Sequence, residues 1–71
     1  RTPRLWNRLH RHLVQAAETG ELRAGVDLDF ATHQLVVLID GLSAERVLYP
    51  DRTPTDRQVS MLNQLLANLA A

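Results

Sequence analysis

Residues 28–48, LDFATHQLVVLIDGLSAERVL, constrain the fold of this chain more than any other segment. Laid out at 100° per residue, Leu28, Ala31, Leu35, Leu38, Ile39 and Leu42 make one broad apolar stripe. Phe30, Val37, Gly41, Ala44 and Leu48 make a second on nearly the opposite side. A helix that is apolar on two sides must be covered on two sides. The rest of the chain can supply one cover, but three short helices cannot surround a rod of roughly 30 Å. The second cover must therefore come from further polypeptide, from another subunit, or from both. Gly41 and Ala44 are small enough to let another helix approach closely.

The size of the chain sharpens this conclusion. A domain of 71 residues typically buries only about 60% of the surface its unfolded form exposes. It has no cysteine, so neither a disulfide framework nor a thiolate metal site can reinforce a small core. Hydrophobic residues make up 45% of the chain and the net charge is zero. That balance indicates a globular domain and argues against disorder and against a dedicated nucleic-acid binder. No run approaches the roughly 18 to 20 apolar residues of a membrane span, and the start lacks the order of a signal peptide. We expect a cytoplasmic protein without membrane contact. The chain opens on Arg1, and we expect it to be one part, residues 1–71, of something longer.

Two further helices flank the central one, giving an all-α fold. Thr2-Pro3 reads as an N-cap followed by a first-turn proline. Leu5, Trp6, Leu9, Leu13, Ala16 and Ala17 then share a face up to about Thr19, and Gly20 can end the helix in the left-handed conformation. Asp27 is placed to cap the central helix, with Asp29 adding favourable charge in its first turn, and Pro50-Asp51 stops it. The last helix has two candidate starts, the N-cap pair Thr53-Pro54 and a capping box of Thr55 with Gln58. Either leads into Val59, Leu62, Leu66 and Leu69, with Gln58, Leu65 and Ala70 alongside. From Gln58 to Ala71 there is no charged residue, a composition suited to a half-buried interface. Two copies of the last two helices would form a four-helix bundle.

Little here points to catalysis, metal or cofactor. His10 and His12 are two residues apart, about 200° around a helix, and cannot share a metal. His33 is two turns from Asp40, too far for contact within the helix. No acid, base and nucleophile come together, and no glycine-rich phosphate loop is present. Arg1, Arg4, Arg8 and Arg11 form a basic strip, and residues 1–23 hold five arginines against two acids. The strip lacks interleaved aromatics and a turn that would present a recognition helix, so it reads as a solvated face. Trp6, inside the apolar stripe, reads as core. A stand-alone helical homodimeric interaction module, without any role on DNA, fits these faces as well.

The order of features also resembles a known family. Thr19-Gly20-Glu21-Leu22-Arg23, then Val26-Asp27 opening a long helix that contains Leu38-Ile39-Asp40-Gly41-Leu42, then a proline-bearing loop and a leucine-rich last helix, is similar to the carboxy-terminal domain of TetR-type transcriptional repressors. Leu28 stands where many relatives have proline, and Phe30 where a smaller residue is common. The resemblance implies a homodimer through Leu28–Leu48 and Thr53–Ala70. The interface residues would be Val37, Gly41, Ala44, Leu48, Val59, Leu62, Leu66 and Leu69. It also implies a small-molecule effector in a pocket bounded partly by the first two segments, with Trp6, Leu9, Leu13 and Phe30 as candidate lining. Operator DNA would be bound only by an amino-terminal helix-turn-helix outside these residues.

Overall fold

The computed structural model describes residues 3–71, with side chains from residue 4 onward; the expected Thr2 cap and the Arg1 end of the basic strip lie outside them. Three α-helices and one 3-10 turn follow in order: α1 (Pro3–Glu18), α2 (Leu28–Leu48), the turn (Pro50–Arg52) and α3 (Thr55–Leu69).

Local chemistry accounts for the helix ends. At the end of α1, Gly20 takes φ +78°. Its N–H donates to the Ala17 carbonyl, while the Glu21 N–H reaches back to Ala16 at 2.9 Å. This is the paired-bond pattern that satisfies terminal carbonyls when glycine supplies the left-handed residue. At the start of α2 the Asp27 carboxylate accepts from the Phe30 N–H at 3.1 Å, and Asp29 lies in the first turn. Tyr49 closes α2 through its N–H to the Glu45 carbonyl at 2.7 Å, and the Pro50–Arg52 turn follows. The Arg52 guanidinium lies 4.5 Å from the centre of the Tyr49 ring.

The start of α3 departs from both sequence-based options. The helix begins at Thr55 behind Pro54, with no side-chain cap. Thr53 is buried, and its hydroxyl donates to the Glu45 carboxylate at 2.6 Å. Gln58 does not close a box on Thr55; its amide donates to the Thr53 carbonyl at 3.1 Å. The Thr53 hydroxyl is turned toward α2, where donation to a carboxylate makes a charge-assisted bond, and its oxygen accepts no N–H from the first turn of α3.

The core is small. Leu13 of α1, Ala31 and Leu35 of α2 and Leu69 of α3 are buried, with Leu9, Leu22, Val26, Leu28, Leu62 and Leu65 packed around them. Thr32, also on α2, is fully enclosed, and its hydroxyl donates to the Leu28 carbonyl one turn back at 2.7 Å. The polar group is thus satisfied without a partner from another helix. Along α3 the inward positions are Leu62, Leu65 and Leu69, while Val59 and Leu66 are turned outward. The leucine-rich stripe of α3 therefore divides between two surroundings.

The open build of the chain shows in its dimensions. The Cα extents are 39 × 24 × 14 Å, and the radius of gyration is 13.2 Å. A compact chain of this length would have about 11 Å. The accessible surface is 5285 Å², against about 4,450 Å² expected for a compact monomer of this mass.

Candidate functional site

Apolar side chains are left open along one side of α2. Phe30, Val37, Gly41, Ala44 and Leu48, the second stripe of α2, are all exposed. Phe30 is 62% accessible, Val37 57% and Leu48 65%. The first stripe, by contrast, is buried or half-buried along its whole length from Leu28 to Leu42. At 100° per residue the exposed five fall within an arc of about 60°, and from Phe30 to Leu48 they run about 27 Å. Val59, Met61 and Leu66 add exposed apolar side chains on α3.

Two open grooves lie between these helices. The first, of about 310 Å³, is lined by Phe30, His33, Gln34, Val37 and Leu38 of α2 and Leu65 of α3. The second, of about 430 Å³, shares Phe30, Gln34 and Leu65 with it and extends over Val26, Ala31, Asn68 and Leu69 to Arg23 and Asp27. His33, Gln34, Leu38 and Leu65 were not named as pocket or interface residues from the sequence. The signal was present: 30, 33, 34, 37 and 38 follow the i, i+3, i+4, i+7, i+8 spacing of one helical face, and two polar members concealed it.

The residues named from the sequence have different fates. Val37, Gly41, Ala44, Leu48, Val59 and Leu66 are exposed, and Leu62 is half-buried against the core. Leu69 is 4% accessible and belongs to the core of the chain itself, so its side chain does not contribute to the open face. A Cβ added to Gly41 would meet no heavy atom within 4 Å; within the chain, nothing demands a glycine there. The four pocket candidates do not surround one cavity. Leu13 is core and Leu9 packs beside it. Trp6 stacks on His10, with ring centres 4.7 Å apart and planes at 17°. Phe30 lines the grooves between α2 and α3.

The histidines are also separated. His10 Nε2 lies 3.0 Å from the Asp29 carboxylate, joining α1 to the first turn of α2. With Asp29 largely exposed, such a contact contributes about 1 kcal/mol or less. His33 faces the first groove, and His12 lies on the surface near the end of α1. Among the described residues no group of three or more His, Cys, Asp or Glu side chains gathers as a metal site would require. No described helix is long and apolar enough to cross a membrane.

These features define an all-helical domain with an exposed apolar stripe along α2. The family comparison agrees with that class. The model of the carboxy-terminal domain of BetI-type transcriptional repressors matches residues 1–71, and the chain belongs to this family of TetR-type regulators. Neither the curated proteins nor the solved structures yielded a match.

Proposed function

We propose that this chain is the dimerisation and effector-side domain of a TetR-type repressor, and that it self-associates through the open face of α2 and α3. The observation that carries the proposal is the uncovered stripe from Phe30 to Leu48 beside a helix without charge from Gln58 onward. The surface excess over a compact monomer is about 800 Å², close to the roughly 800 Å² each partner contributes to a standard interface. Two copies meeting through Val37, Gly41, Ala44, Leu48, Val59 and Leu66 would complete a four-helix bundle. The two-fold symmetry of such a contact would present each apolar stripe to its own copy.

In the longer protein this dimer would hold two operator-binding parts at a fixed spacing, and a small-molecule effector would alter that spacing and release the operator. The half-buried Trp6 and Leu9 on α1 are the wall this chain offers to an effector, with the remainder of the pocket supplied by polypeptide outside it. The role is one of binding and regulation, without turnover. Sedimentation equilibrium at micromolar concentration tests the central claim. A dimer is expected; a folded monomer across that range would refute it.

A further inference from the structure

The carboxy-terminal end of α3 is closed by its own chain through one bond only, from the Ala70 N–H to the Ala67 carbonyl at 3.3 Å. Its last turn contains no basic residue, and Ala70, which follows, is extended at φ −71° and ψ 150°. A helix ending this way leaves carbonyls without intrahelical partners. The last two, of Asn68 and Leu69, are satisfied from far away in sequence. The Arg23 side chain donates through Nε to the Asn68 carbonyl at 2.9 Å, across 45 positions. The Arg23 backbone N–H donates to the Leu69 carbonyl, also at 2.9 Å. The Ala71 N–H in turn donates to the Glu21 carbonyl, and Leu22 and Ala70 pair as an antiparallel bridge. The charge of Arg23 thus stands at the negative end of the α3 dipole. Among the described residues no carboxylate pairs with it, the one ion pair there being His10–Asp29.

This strap is attached to the open face. Arg23 and Asn68 line the second groove together with Phe30, Gln34 and Leu65, and the last three also line the first groove. Packing alone holds α3 lightly, since Leu69 is its only buried residue. We infer that Arg23 is a positioning residue for the partner-binding face: it clamps the end of α3 to the loop between α1 and α2. It thereby sets the angle at which Val59 and Leu66 lie beside the α2 stripe. This rests on the dimer reading above. It also makes the loop, whose course is set by Gly20 and Gly25 at φ +78° and +82°, a place from which a change around α1 reaches the interface.

The parent chain, Arg23→Gln, Arg23→Lys and Arg8→Ala are compared by sedimentation equilibrium and by amide hydrogen exchange, with helix content monitored by circular dichroism. Arg23→Gln is expected to speed exchange of the Ala71 amide by about tenfold, the worth of one hydrogen bond to a charged group, and to weaken dimerisation through the displaced end of α3. Arg23→Lys, which keeps the charge at the helix end, should recover part of both effects, and Arg8→Ala should show neither. A dimeric parent whose Arg23→Gln variant associates equally tightly would overturn the positioning role alone. Unchanged protection of Ala71 in Arg23→Gln would overturn the clamp. A monomeric parent would overturn the dimer reading and the positioning role with it, whereas loss of Ala71 protection would still report the clamp.

Discussion

Replacing Gly41 by leucine separates contact with a partner from the fold of the chain. Gly41 is exposed, lies in the middle of the α2 stripe, and has no heavy atom within 4 Å of where a Cβ would stand. The Cβ of a leucine there meets nothing inside the chain, and exchanging glycine for leucine within a helix favours the helix by somewhat under 1 kcal/mol. Folding should therefore be unharmed or slightly improved. At a close two-fold helix contact the same side chain enters occupied space from both subunits. Overpacking costs about 1–3 kcal/mol per site, and symmetry doubles it to about 2–6 kcal/mol. With a factor of ten for each 1.4 kcal/mol, the dissociation constant should rise by about thirtyfold or more. Sedimentation equilibrium measures this directly, and circular dichroism should show unchanged helix content. Arg8→Ala, on the exposed side of α1, should leave association within about twofold. If Gly41→Leu dimerises as tightly as the parent, the close-approach argument is wrong. Should Arg8→Ala prove the more disruptive change, the interface lies on α1.

Three further outcomes test the fold that presents this face. Leu35→Ala removes a buried side chain from a core of few members and should destabilise by about 2–5 kcal/mol, enough to lose the cooperative thermal transition in so small a domain. Asp27→Ala deletes the cap that accepts from the Phe30 N–H; a loss of about 1 kcal/mol in urea unfolding is expected. Thr53→Val keeps the shape but takes the hydroxyl partner from Glu45, and should cost about 1–3 kcal/mol. An unchanged urea midpoint would show that solvent replaces that bond.

The helices and most of their ends were legible from neighbouring residues alone. Gly20 after α1, Asp27 before α2 and Pro50 beyond it each act on backbone groups within a few positions, so their effect is written in local order. The two-sided character of α2 was equally legible, because helical periodicity assigns every residue a direction before any neighbour is known. The structure leaves the second of those sides open, with Phe30, Val37 and Leu48 exposed.

Other features depended on distance in space. Periodicity placed Val59, Leu62, Leu66 and Leu69 on one stripe, yet Leu69 is core while Val59 and Leu66 face outward. The rotation of α3 about its axis is decided by what it packs on, and the Arg23 strap takes part in that decision. Thr53 bonded Glu45 and not its own helix, and His10 met Asp29. Pairings between segments far apart in the chain leave no periodic trace. The sequence by itself determined which segments are helical and that α2 is apolar on two sides, because those follow from local backbone chemistry and from the direction each side chain takes. Only the tertiary structure decided which apolar residues the chain covers itself and which it leaves open, since that depends on helix rotation and on long-range hydrogen bonds that local order does not encode.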